Sequence, residues 1–191
     1  MSVFKANSYV NKITNISPYY FLENNIEAVL VDLDNTVIDP KNDEIEEDVY
    51  TWLATMKENN IAICFVSNRF NQEKEAELTN KLQTKVIMRA YKPLAKGLKE
   101  ALEHLEISSE VVCLIGDQTF TDVIGGNLVG LHTIKVNPLN QCLEDGLLSN
   151  ACRKLEGIYF SMQKETSMFN ETTEEIKSKI LSKKPKEKTN L

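Results

Sequence analysis

An α/β fold, a doubly wound parallel sheet of five strands with helices on both faces, is what this sequence predicts, and three observations predict it. Short apolar runs rich in Val, Ile and Leu recur along the chain, each of strand length. Segments with helical spacing of apolar residues alternate with those runs. The connections are short, so each strand returns beside its neighbour through a right-handed crossover and the sheet is parallel.

Residues 1–27 form an apolar, aromatic lead-in containing Phe4, Tyr9, Val10, Ile13 and Ile16, and then a helix start in which Ser17 is the cap and Pro18 the first helical residue. Basic residues are sparse there, so packing on the core is expected ahead of resting on a membrane surface, and both readings stand. The first core strand is Ala28 to Val31, and it runs into Asp32, Leu33, Asp34, Asn35 and Thr36. An unbroken apolar run is the mark of a strand buried on both faces.

Polar turn residues from Asp39 to Asn42 follow. Ile45, Val49, Trp52, Leu53 and Met56 then recur at helical spacing, with Asp43 and Glu46 as a box-like start. Ile61 to Val66 is the second strand and ends at Ser67, Asn68 and Arg69; a polar helix spans about Gln72 to Leu82; a third strand covers Val86 to Met88. Tyr91, Lys92 and Pro93 open a helix whose apolar face is Leu94, Leu98, Ala101, Leu102 and Leu105. Val111 to Ile115 is the fourth strand, ending at Gly116 and Asp117; TFTDVIGGN turns into a short helix; Leu131 to Val136 is the fifth. A last helix is expected from Leu147 to Phe160, so the core domain is residues 28–160. Lys, Glu, Ser and Thr dominate 161–191, a tail with almost nothing to bury and therefore expected to be disordered.

With 42% hydrophobic and 26% charged residues, the 191-residue chain has the composition of a soluble globular protein. No run approaches the roughly 18 apolar residues of a membrane span, and the opening MSVFKANSYVNK lacks a signal-peptide core. The expectation is therefore a cytoplasmic protein. Its four cysteines have no zinc-like spacing: Cys64 and Cys113 sit in strands, and Cys142 and Cys152 stand apart. His104 and His132 are too isolated for a catalytic triad. A net charge of −6 argues against nucleic acid as a partner. That charge is uneven, because residues 161–191 carry seven lysines and five acids, which leaves 15 basic and 23 acidic residues in the rest.

In a parallel sheet the strand ends share one edge, where open α/β sheets bind their ligands. Asp32, Asp34, Ser67, Lys92, Asp117 and Asp122 all follow strands or lead from them to that edge. Clustered carboxylates repel one another unless a cation or a proton intervenes. Such a cluster suits Mg²⁺, which bridges readily to phosphate, while a lysine and a serine can hold phosphoryl oxygens. One carboxylate could attack phosphorus and a second, two residues on, could move protons.

The series Asp32-x-Asp34-Asn35-Thr36, Ser67-Asn68, Lys92-Pro93 and Gly116-Asp117 with Asp122 resembles the four motifs of the haloacid dehalogenase-like phosphatase superfamily, in order. Leu33 to Thr36, Val66 to Asn68, Lys92-Pro93 and the run GDQTFTDVIGGN from Gly116 to Asn127, with the Ile16-Ser17-Pro18 lead-in, look most like the YqeG-type proteins of subfamily IIIA. These are related to phosphatidylglycerophosphate phosphatases. The resemblance implies a core of the same fold without a cap domain, Asp32 as nucleophile and Asp34 as general acid and base. It also implies Ser67, Asn68 and Lys92 at the phosphoryl group, and Mg²⁺ held by Asp32, the main-chain carbonyl of Asp34, Asp117 and Asp122. Arg69 departs from the pattern, since asparagine is more usual there.

The intervals from Asp34 to Ser67 and from Lys92 to Asp117 are consumed by ordinary elements, leaving no room for a lid. An open edge excludes water poorly from a small substrate, so the expected partner is a phosphorylated group on something large: by resemblance, a lipid head group at the inner membrane face. Two other readings stand beside it. One keeps the chemistry and changes the substrate to a phosphoprotein, nucleotide or sugar phosphate. The other is a non-catalytic phospho-signalling or scaffold domain like a response-regulator receiver, against which the third strand counts, being followed by Arg89, Ala90 and Tyr91 rather than by a phosphoaccepting acid.

Overall fold

The computed structural model describes residues 2–140. The helix expected at Leu147 to Phe160, the end of the expected core domain, the tail 161–191 and Cys142 and Cys152 lie outside the described residues.

Chain order within them is β1 (Ser8–Val10), α1 (Pro18–Glu23), β2 (Ala28–Asp32), β3 (Ile38–Asp39), β4 (Glu44–Ile45), α2 (Glu47–Glu58), β5 (Ala62–Val66), α3 (Gln72–Leu82), β6 (Lys85–Ile87), α4 (Ala95–Leu105), β7 (Val112–Gly116), α5 (Ile124–Val129) and β8 (His132–Val136). The sheet has the order β1-β8-β7-β2-β5-β6 with every pairing parallel. It therefore has six strands rather than the five expected. The addition is β1, three residues of the lead-in that pair with β8 at the sheet's edge. A Ser-Tyr-Val edge strand is too short and too mixed to show a strand pattern in sequence.

Alternation along β2 explains the two faces. Val29 and Val31 join the core that also contains Phe21 of α1, Val49, Trp52 and Met56 of α2, and Leu78 and Leu82 of α3. Ala28 and Leu30 point the other way and pack with Leu98 and Ala101 of α4 and with Leu131. Successive strand residues face opposite sides, so a strand in the middle of a sheet must be apolar throughout. All five residues of β2 are buried.

Two helix starts differ from one another for local reasons. Asn71 caps α3, its side chain accepting a bond from the main-chain N–H of Lys74. The box expected at Asp43 and Glu46 does not form: α2 begins at Glu47 after Glu46, which makes no side-chain cap. The turn between β2 and α2 is instead a small antiparallel hairpin, β3 with β4, and Asp43 lies at its tip in the left-handed region, with φ 59°.

From β2 to β5 the chain holds only that hairpin and α2; from β6 to β7 it holds only α4 and a single 3-10 turn. No inserted domain covers the carboxyl ends of the strands in either interval. The chain runs from β2 outward to β5 and β6, then crosses back to β7, which makes the β2–β7 boundary the topological switch point.

Candidate active site

At that switch point Asp32 closes β2 and Asp117 follows β7. Asp122 reaches them from a π-helical turn, Thr119–Val123. One carboxylate oxygen of each lies within 4.8 Å of those of the other two, and all three residues are buried. Gly116 is what lets Asp122 in: a Cβ on Gly116 would stand 2.3 Å from Cγ of Asp122, so any side chain there would occupy the carboxylate's place. The Oδ2 atom of Asp122 accepts a bond from the main-chain N–H of Gln118 at 3.1 Å.

Lys92 supplies the counter-charge. Its Nζ is 2.5 Å from Oδ1 of Asp32 and 2.7 Å from Oδ1 of Asp122, and it donates to the carbonyl of Val66 at 3.1 Å. Burial alone would lower the Lys92 pKa, but Asp122 and Asp32 more than reverse that, so it lies above the ordinary lysine value and the side chain stays charged. Asp32 is pushed well above the ordinary carboxylate value, first by desolvation and then by Asp122, Asp117 and Asp34, with Lys92 opposing them. The Lys92 ammonium is thus buried with Asp32 and Asp122, and Asp117 lies beside them.

This donor set fits a small hard dication. It offers oxygen ligands, several of them anionic, as Mg²⁺ sites do. The carboxylate of Asp34 stands outside this group. Its Oδ2 accepts from the Ser67 hydroxyl at 2.9 Å and its Oδ1 lies 2.7 Å from Nε of Arg69. The Ser67 hydroxyl in turn accepts from the main-chain N–H of Arg69 at 3.0 Å.

Asn68 has a different place from the one expected of a phosphate-binding side chain. Its amide donates to the carbonyl of Lys92 at 2.9 Å and accepts from the Lys92 N–H at 2.7 Å, gripping the loop that carries the ammonium. That loop is further tied by Ala90 N–H to the carbonyl of Ser67 and Arg89 N–H to the carbonyl of Arg69, both 2.9 Å. Arg89 and Tyr91 both take left-handed backbone conformations within it, with φ 57° and 52°. For non-glycine residues such conformations are costly and tend to gather at functional sites.

Sequence reasoning brought Asp32, Asp34, Ser67, Lys92, Asp117 and Asp122 to one edge, and there they lie. It did not find two supports. Asn35, at φ 65°, uses its amide to grip Asn140, donating to its carbonyl at 3.0 Å and accepting from its N–H at 2.7 Å, which fastens the end of the described chain beside β2. An asparagine directly after the second aspartate is a signal for a left-handed turn, though not for its distant partner. Gly116 is the other; a glycine ending a strand leaves room for a side chain whose identity only the fold reveals. Cys64 and Cys113 are buried free thiols whose pKa desolvation raises, to about 12 for Cys64.

Comparison with known proteins places these residues in context. The family model described as mitochondrial PGP phosphatase matches residues 2–139. The probable phosphatase YqeG of Bacillus subtilis (strain 168) is 34% identical over 154 residues, 80% of this chain and 87% of that protein. Among solved structures, an uncharacterized protein from Listeria monocytogenes serotype 4b superposes with a TM-score of 0.52 at 17% identity, covering 64% of this chain and 84% of its own, a likeness of fold. The cobalt-bound deoxy-D-mannose-octulosonate 8-phosphate phosphatase of Haemophilus influenzae gives a TM-score of 0.48 at 14% identity, covering 61% and 70%.

Proposed function

The chain belongs to the PGP phosphatase family, a phosphatase of the haloacid dehalogenase-like kind, and from that premise we propose that it is a Mg²⁺-dependent phosphomonoesterase that dephosphorylates phosphatidylglycerophosphate at the inner membrane face. The observation that carries the reading is the buried group of Asp32, Asp117 and Asp122 with Lys92 among them, beside a separately held Asp34.

In this reading Asp32, Asp117, Asp122 and the main-chain carbonyl of Asp34 hold Mg²⁺, which when bound neutralises the carboxylates and the phosphoryl oxygens. Lys92 and Ser67 bind the phosphoryl group. An Asp32 carboxylate oxygen attacks phosphorus, forming an aspartyl phosphate as the ester P–O bond breaks, and Asp34 gives its proton to the departing alcohol oxygen. Water then attacks the same phosphorus, the bond to Asp32 breaks, and Asp34 takes the proton the water releases.

The lipid part is supported by the uncapped edge and by what surrounds it. Phe70, Tyr91 and Leu94, in the loops after β5 and β6, are 63%, 49% and 66% exposed at the end of the sheet where Lys92 enters. Arg89 stacks over the Phe70 ring at 3.1 Å. Apolar and cationic side chains at a site mouth suit an anionic lipid surface. No helix among the described residues is long and apolar enough to cross a membrane.

The deciding experiment is phosphate release from phosphatidylglycerophosphate in mixed micelles, with Mg²⁺ and with EDTA, for wild type and Asp32→Asn. Metal-dependent release that disappears in the variant is expected. Faster hydrolysis of soluble phosphomonoesters than of the lipid would keep the chemistry and remove the lipid.

A further inference from the structure

Arg69 is the residue at which this chain departs from its resemblance, and its surroundings are specific. Its main chain is pinned on both sides, the N–H to the Ser67 hydroxyl at 3.0 Å and the carbonyl to Arg89 N–H at 2.9 Å. Its guanidinium then spans two acids: Nε lies 2.7 Å from Oδ1 of Asp34, and Nη1 lies 3.4 Å from Oδ1 of Asp43 at the hairpin tip. Asp43 is also paired with Lys74 in the first turn of α3. That Lys74 contact, more than Arg69, holds the Asp43 carboxyl below the ordinary carboxylate value, so it stays anionic.

The consequence falls on Asp34. Ser67 donates to one of its oxygens and Nε of Arg69 lies against the other; the single Ser67 proton is given to the phosphoryl group once substrate binds, which leaves Arg69 to set the rotation of the carboxyl group. We infer that Arg69 is a positioning residue that orients the Asp34 carboxyl for proton transfer, and that Asp43 steadies Arg69 from the far side; this rests on the role proposed above for Asp34. Proton transfer needs the carboxyl oxygen within roughly 2.6–3.2 Å of the leaving oxygen, a condition a freely turning side chain meets only part of the time. A planar guanidinium gripping at Nε imposes direction in a way an asparagine at this position would not.

Leaving-group dependence tests this. When the ester bond breaks, the electron pair stays on the leaving oxygen. An aryl oxygen bears that charge unaided, whereas an alkyl oxygen needs the Asp34 proton. The ratio kcat/KM reports only steps up to that cleavage, so later hydrolysis of the aspartyl phosphate does not enter. In Arg69→Gln, kcat/KM for glycerol phosphate is expected to fall at least about tenfold further than for 4-nitrophenyl phosphate. Equal losses on the two esters would mean that Arg69 serves substrate binding or general structure, and would overturn the inference, as would no loss at all.

If Arg69→Gln does not fold, Asp43→Asn at the exposed hairpin tip decides: the same selectivity at about two- to threefold supports the inference, and an unchanged ratio overturns it. Wild-type protein that cleaves neither ester nor phosphatidylglycerophosphate overturns instead the phosphatase reading beneath it, and does so before any variant is made.

Discussion

Asp32 is costly to the fold at the very place where the proposed chemistry needs it. Desolvation and the neighbouring carboxylates raise its pKa above the ordinary 3.8. The folded state therefore holds its proton more tightly than the unfolded chain, and stability falls as pH climbs from 3.8 through the raised value. Lys92 works in the opposite sense. Its pKa is raised above 10.5, so its stabilising contribution is complete below the unfolded value and is lost only as pH rises through the folded one. Replacing the buried carboxylate by a neutral amide should therefore stabilise the metal-free protein. Asp32→Asn in EDTA at pH 7 is expected to unfold at a higher temperature than wild type. The gap should narrow as pH falls and the wild-type carboxyl takes up its proton. A variant less stable than wild type at pH 7 would show that the Lys92 pairing outweighs burial.

Among the elements, the N-terminal segment contributes more than its length suggests. Ile13, Ile16, Phe21 and Ile26 are all in the core, and the Trp52 indole donates to the carbonyl of Ile16 at 2.8 Å. Phe21 has no exposed surface, so Phe21→Ala is expected to cost about 3–5 kcal/mol, read by urea denaturation; a loss under 1 kcal/mol would mean that α1 is dispensable to the core. Element boundaries were legible in proportion to local signal. The polar helix expected at about Gln72 to Leu82 coincides with α3, whose start is fixed by the Asn71 cap and an acidic first turn. At Asp43 and Glu46 the same kind of pattern misled, since Asp43 is taken by Arg69 and Lys74 from across the chain. Propensity for a cap is worth only about 1 kcal/mol, little enough for tertiary ion pairs to redirect it.

For the molecule as a whole, the cluster of buried carboxylates at the β2–β7 edge predicts coupling between metal and stability. A ligand bound by the folded state alone stabilises it by RT ln(1 + [L]/Kd), about 2.7 kcal/mol at a hundredfold excess over Kd. Thermal unfolding is expected at a higher temperature in Mg²⁺ than in EDTA, with a smaller difference in Asp32→Asn; identical transitions in both would count against a metal site here. Much of this site could be foreseen from one dimension. Apolar runs and helical periods imply parallel strands, parallel strands put their carboxyl ends together, and Asp32, Asp34, Ser67, Lys92 and Asp117 follow those ends in order. What no linear pattern carries is the choice of partner. That Asn68 grips the main chain of Lys92, that Ser67 and Arg69 share Asp34, that Asp122 occupies the space a Gly116 side chain would fill, and that Ser8–Val10 adds a strand beside β8 all depend on residues 24, 33, 35, 6 and more than 120 positions apart. Periodicity records which face a residue presents to the core; hydrogen bonds and close approaches are settled only when the sheet brings distant loops within a few ångströms of each other.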